Sequence, residues 1–228
     1  MSDAQTYVQA LALGLDPALR RLPDAARHDD GCRFAEAIAA SRLEDLRTIS
    51  YSSVGLEPGV DVLLWRMAPS VDVLESTAAA LLRAGLGRWL SVDHSLVGRI
   101  GPSQYVRKPT EQEQSVFAGE RSRYLVVYPF TKSTEWYLLS KEARQGVMNE
   151  HMRVGHQYPT VRQALAYSFG LDSQDFVVAY ETDDLVAFGD LVRELRGTES
   201  RRSTVSDTPI LLGIHRPIEE ILSLLGAP

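Results

Sequence analysis

The sequence predicts an α+β protein made of two similar halves, each an antiparallel sheet with helices on one face. Three observations carry that expectation. A short apolar run followed by a capped amphipathic helix occurs twice, as "DVLLWRMAPSVDVLESTAAALLRAG" from Asp61 and as "DFVVAYETDDLVAFGDLVRELRG" from Asp175. The segments around each copy are rich in β-branched and aromatic residues, as strands are. The composition, 44% hydrophobic and 24% charged over 228 residues, is that of a globular chain able to bury a core.

Taken in order, residues 1–45 read as an irregular, helical N-terminal extension interrupted by the polar stretch "LPDAARHDDG". Regular architecture is expected from Leu46, with an N-terminal half over 46–115 and a C-terminal half over 116–228. Strand candidates are "LRTISYSSVG", "RWLSVDHSLVGRI", "RYLVVYPF", "ALAYSFG" and "TPILLGI". In the duplicated unit, Ser70 and Asp184 stand nine residues after the leading Asp and suit helix N-caps, and each helix ends at a glycine, Gly85 or Gly197. The apolar stripes are Val71, Leu74, Ala78, Leu81 and Leu82 in the first helix, and Leu185, Phe188, Leu191, Val192 and Leu195 in the second. Proline, glycine and charge concentrate over Gly101 to Ser122, which reads as the linker across the boundary of the halves, so the regular structure of the second half starts at Arg123.

Charge and composition narrow the function. A net charge of -6 argues against nucleic acid as a partner, because phosphate binding rests on clustered Lys and Arg. One cysteine, Cys32, permits no intramolecular disulfide and no CxxC site. No run approaches the roughly 20 apolar residues of a membrane span, and the first residues lack a basic region ahead of an apolar core. The expectation is a cytoplasmic protein with no membrane contact. Nucleotide-binding glycine loops, a GxSxG elbow and HxH or HExxH metal pairs are all missing from the sequence. The acidic pairs Asp183 with Asp184 and Glu219 with Glu220 read as solvated helix ends.

The most informative stretch is "KEARQGVMNEHMRVGHQ", a helix with Ser140 as N-cap that must end before Pro159. Ala143, Val147, Met148, His151, Met152 and Gly155 share one stripe, which puts His151 on the buried face. His156 is rotated from it by about 140° and should face solvent. Gly155 costs the helix about 1 kcal/mol relative to alanine, which suggests that something approaches the backbone there. From spacing alone, the pattern reads as a packed core histidine beside a small residue, with a ligand role as the lesser alternative. Upstream, alternation in "RYLVVYPFTKSTEWYLL" puts Tyr124, Val126, Tyr128 and Phe130 on one strand face, with Lys132 just beyond.

These segments together resemble the chlorite dismutase family of haem proteins, and within it most closely the coproheme decarboxylases. The resemblance runs from about Leu46 to Gly213. It rests on "DVLLWRMAPSVDVLE" and "AGLGRWLSVDHSLVGRIGPSQY" in the first half. In the second it rests on "YPFTKSTEWYLLSKEARQGVMNEH", "YPTVRQ", "GLDSQDFVVAYETDDLVAF" and "LRGTESRRSTVSDTPILLG". It implies two ferredoxin-like halves forming an α+β barrel, in a ring of five subunits, with haem b or iron-coproporphyrin III in the C-terminal half. His151 matches the proximal iron ligand, and His156 matches no functional position. Met148, Gly155 and Trp136 fall with the cofactor. Tyr128 matches the tyrosine that decarboxylases use as a radical relay, and Lys132 a lysine near the propionates. Gln163 aligns, through a one-residue gap after Tyr158, with a distal position that is arginine in chlorite dismutases; without the gap Ala164 stands there. The implied activity is peroxide-dependent oxidative decarboxylation of the porphyrin propionates, with hydrogen peroxide and porphyrin as partners. The alternatives are chlorite dismutation or peroxidase activity, and haem binding without turnover.

Overall fold

The structure, a computed structural model, describes residues 5–41, 46–103, 105 and 119–228. The chain divides into two compact units, one of residues 1–100 with Leu211–Pro228 and the other Gly101–Ile210. Among the described residues, no helix is long and apolar enough to cross a membrane.

The first unit is an antiparallel sheet of β1 (Tyr7–Leu15), β2 (Arg47–Glu57), β3 (Val60–Ala68), β4 (Leu90–Arg99) and a late strand, Leu211–His215, in the order β4-β1-β3-β2-late strand. Its helices are α1 (Asp24–Ser41), α2 (Val71–Arg83) and a C-terminal one, Ile218–Leu225. Pro58 and Gly59 turn β2 into β3, and Gly59 has φ 80°, the value that the third residue of a type II turn requires. The core joins Leu11, Leu13, Phe34, Ile38, Leu64 and Leu81 to Ile221, Leu222 and Leu225.

Two expectations are corrected here. Residues 1–45 are not a helical extension: Tyr7–Leu15 is a strand hydrogen-bonded to β3 on one side and β4 on the other, with seven successive residues buried. Burial on both faces erases the alternation that marks a strand, and its Ala and Leu content imitates a helix. The segment read as a polar break, "DAARHDDG", is the first part of α1. The C-terminal half also does not run to 228, because Leu211–His215 pairs with β2 and the last helix packs into the first unit's core. Most of the expected linker lies outside the described residues.

The second unit holds β5 (Tyr124–Lys132), β6 (Arg162–Tyr167), β7 (Phe176–Thr182) and β8 (Thr204–Ser206), in the order β6-β7-β5-β8 and all antiparallel. The late strand of the first unit is thus β9. The helices here are α3 (Thr134–Leu138), α4 (Lys141–Gly155) and α5 (Leu185–Arg196), followed by a 3-10 turn over Glu199–Ser203; Ile218–Leu225 becomes α6. The caps are as the local chemistry requires. Ser70 Oγ accepts from Val73 N, Ser140 Oγ from Ala143 N, and Asp184 Oδ1 from Val186 N and Ala187 N. Of the expected stripe on α2, Leu74 and Leu81 are buried while Val71 at the first position is exposed.

Candidate active site

The site is assembled on one face of the second unit's sheet. Register puts Tyr180 opposite both Val126 and Gln163, and Val178 opposite both Tyr128 and Leu165. Paired residues share a face, so Tyr128, Gln163, Leu165 and Tyr180 lie together. Phe188 of α5 meets the Tyr180 ring at 5.2 Å, which makes this the helix-covered face. Leu125, Ala164, Ala179 and Glu181 belong to the other face. The gapped alignment is thereby the one the register favours: Gln163 stands on the face with Tyr128, and Ala164 does not.

The opposite face takes Arg162, the chain neighbour of Gln163. Arg162 donates to Glu181 Oε2 at 3.0 Å, and Arg121 donates to Glu181 Oε1 at 3.2 Å. Glu181 is fully buried between them, so Arg162 is engaged away from Tyr128.

Tyr128 and Tyr180 stack with centroids 6.2 Å apart and an interplanar angle of 28°. Burial, then the neighbouring Tyr180, holds the Tyr128 phenol well above its ordinary pKa, and burial likewise raises that of Tyr180. Both phenols therefore stay protonated at neutral pH. Beside Tyr128 a cavity of about 280 Å³ is lined by Phe188, Val192 and Ile210, with Arg193, Arg196 and Asp207 at its polar side. It suits a side group of a large ligand rather than a whole macrocycle.

Helix α4 carries His151. Its stripe is only partly covered by protein: Val147, Met148, His151, Met152 and Gly155 are half-buried, Ala143 is exposed, and the fully buried residue of the helix is Val154. Among the described residues, and apart from the helix's own nearby backbone, no atom lies within 4 Å of where a Cβ would stand on Gly155. The helix face around His151 thus has room at Gly155 that no described side chain takes up. His156 is the exposed C-cap residue.

His151 Nδ1 lies 3.2 Å from Ser200 Oγ in the 3-10 turn. Burial, then the Lys132 ammonium, lowers the imidazole pKa to about 4, and Glu150 opposes this weakly. The ring is neutral at pH 7, the form that can bind a metal. Lys132 is buried at 9% exposure. Its Nζ donates to Ser200 O at 2.8 Å and sits 4.5 Å from the Trp136 ring centroid. Burial lowers its pKa to about 8, with Arg201 adding to the effect.

Lys132 and Trp136 are therefore packed around the histidine's partner. Trp136, 3% exposed, also meets Tyr105 edge-on at 6.4 Å. The Ser200 carbonyl takes one of the three N–H donors of Lys132, and Arg193 and Arg196 of the cavity beside Tyr128 are further cationic groups of this unit. Tyr128 and Lys132, four residues apart on β5, are separated by roughly 13 Å along the strand, and a flat ligand can span that distance. Ser200, Thr198 and Tyr180 were not singled out from the sequence. No spacing signal marks Ser200, which lies 49 residues from His151.

A family model described as chlorite dismutase matches residues 28–216. A coproheme decarboxylase of Mycolicibacterium smegmatis is 32% identical over 177 residues, covering 77% of this chain and 75% of its own. A chlorite dismutase of Ideonella dechloratans is 26% identical over 198 residues, covering 83% of this chain and 70% of its own. Among solved structures, the chlorite dismutase of Candidatus Nitrospira defluvii in complex with imidazole superposes with a TM-score of 0.87 at 26% identity, covering 99% of this chain and 97% of that one.

Proposed function

The chain belongs to the chlorite dismutase family, and we propose that within it this protein is a coproheme decarboxylase. It would convert propionate side chains of iron-coproporphyrin III to vinyl groups at the expense of hydrogen peroxide. The observation that carries the reading is the company of Tyr128. A protonated phenol, stacked on a second tyrosine, shares a sheet face with Gln163, while Arg162 is turned to the other face and held by Glu181.

The residues present fit an iron porphyrin. His151 offers a neutral imidazole on a helix face with open space at Gly155, and Leu165, 43% exposed on the Tyr128 face of the sheet, adds apolar surface for a flat ring. His151 would bind the iron, Met148 and Gly155 would line the ring, and Lys132 with Trp136 would support the histidine. When bound, the iron porphyrin supplies the redox chemistry with peroxide.

The chain's own part is a hydrogen-atom relay. Tyr128 can give up an electron only with its proton, since burial keeps the phenol protonated, and a second phenol, Tyr180, is stacked beside it. The oxidised Tyr128 would take a hydrogen atom from the propionate methylene bonded to the porphyrin ring; the second electron would pass to the remaining peroxide-derived oxidising equivalent as the carboxylate carbon leaves as carbon dioxide and the carbon–carbon double bond forms. For each group, one propionate, one peroxide and one proton give one vinyl, one carbon dioxide and two waters. Arg196, beside Tyr128 in the cavity, would hold a carboxylate by charge-assisted hydrogen bonds. A cytoplasmic location and a ring of five subunits belong to the same reading.

Tyr128→Phe tests it. The ring volume hardly changes, so coproheme affinity should be kept while peroxide-driven decarboxylation is lost, a loss of transition-state chemistry rather than of binding. Mono- and di-vinyl products at the unsubstituted rate, seen by mass spectrometry, would refute it.

A further inference from the structure

Proton counting around His151 leads to an assignment that distances alone leave open. Thr198 Oγ1 donates to Leu195 O at 2.7 Å, which commits its single proton. Thr198 Oγ1 also lies 3.2 Å from Ser200 Oγ, so in that contact Ser200 must be the donor. The one proton of Ser200 is then committed in turn. Toward His151 Nδ1, 3.2 Å away, Ser200 Oγ has only lone pairs to offer, and Nδ1 must carry a hydrogen.

We infer that Ser200 and Thr198 form a proton-ordered hydroxyl chain that locks His151 in its Nδ1–H tautomer, leaving Nε2 as the metal-binding nitrogen with a neutral, weak acceptor behind it. The assignment of Nε2 to iron rests on the proposed function; the tautomer does not. Ser200 is a positioning residue and need not touch the ligand.

The chain is anchored at both ends. Lys132 Nζ, buried against Trp136, holds the Ser200 carbonyl, and Glu150 Oε2 of α4 accepts from Glu199 N at 3.0 Å. These contacts pin the 3-10 turn to β5 and to the helix that carries His151. A hydroxyl whose own proton points away accepts less strongly than a carboxylate and cannot take the Nδ1 proton. The imidazole therefore keeps neutral character, and bound iron feels less electron push than a carboxylate-backed histidine would give.

The test reads the tautomer first and the iron second. In the porphyrin-free protein, 15N chemical shifts of His151 should show a protonated Nδ1 and a bare Nε2. Thr198→Val removes the acceptor for the Ser200 proton, frees that hydroxyl to donate to Nδ1, and should shift the shifts toward a tautomer mixture. Thr198→Ser should restore the original values. In the loaded ferrous protein, Ser200→Asp should raise the iron–histidine stretching frequency and make the reduction potential more negative, and Ser200→Ala should weaken porphyrin binding by about 10–100-fold.

A bare Nδ1 in the unsubstituted protein, or a tautomer unmoved by Thr198→Val, overturns the hydroxyl chain whatever His151 binds. A protein with the expected tautomer but no iron–histidine stretch overturns the iron assignment and the ligand role of His151 with it. If the stretch is present and lost in His151→Ala, yet Ser200→Asp leaves frequency and potential unchanged, Ser200 does not position the ligand.

Discussion

Protons and iron compete for the same imidazole, so the environment of His151 predicts how porphyrin binding responds to acid. Metal binding requires the neutral ring, and apparent affinity falls by the factor 1 + 10^(pKa − pH) as the ring protonates. For a histidine near the ordinary value of about 6.5, going from pH 7 to pH 5 weakens binding roughly 25-fold. His151 is held at about 4 by burial and by the Lys132 charge. A depressed histidine pKa keeps the metal-competent form to lower pH, so its share of the weakening over the same interval is only about 1.1-fold. The assay is a Soret titration of the unsubstituted protein with ferric coproporphyrin at both pH values, with the porphyrin titrated alone over the same interval to account for its carboxylates. Lys132→Met removes the like charge but not the larger burial effect, so the acid limb should move up in pH while staying below that of an ordinary histidine. A 25-fold loss attributable to His151 between pH 7 and 5 would show that the imidazole is not shielded in solution, and the reasoning from burial would fail.

Three further outcomes follow from the same geometry. His151→Ala should abolish the stable Soret band of the complex while His156→Ala, at the exposed end of α4, leaves it unchanged; equal losses in a titration would contradict the helix phase. Chlorite should be turned over weakly, because Gln163 offers a neutral amide where a guanidinium would hold the oxyanion; rapid, sustained oxygen release at an electrode would move the protein to the dismutase branch. Glu181→Ala leaves Arg121 and Arg162 facing each other without their buried carboxylate and should lower stability by about 3–5 kcal/mol, read from urea unfolding; a change below about 1 kcal/mol would mean that water reaches the pair.

By itself the sequence determined what depends on neighbours a few residues away. Ser70, Ser140 and Asp184 start their helices because a side-chain oxygen can reach an amide two or three residues on, whatever the rest of the chain does. The phase separating His151 from His156 is likewise set by the helical repeat, and the alternation of Tyr128 with Val127 by the pleat. The tertiary structure decided everything that depends on partners far along the chain. Tyr7–Leu15 is a strand because β3 and β4 flank it, against the helical leaning of its Ala and Leu residues. Gln163 rather than Ala164 joins Tyr128 because pairing with β7 sets the register of β6, and a slip of one residue would exchange the two faces. Ser200 meets His151, and Lys132 reaches the Ser200 carbonyl, only through packing of a turn against a helix and a strand 49 and 68 residues away. Hydrogen bonds across such separations leave no periodicity in the sequence, so the histidine could be read there while the groups that set its proton could not.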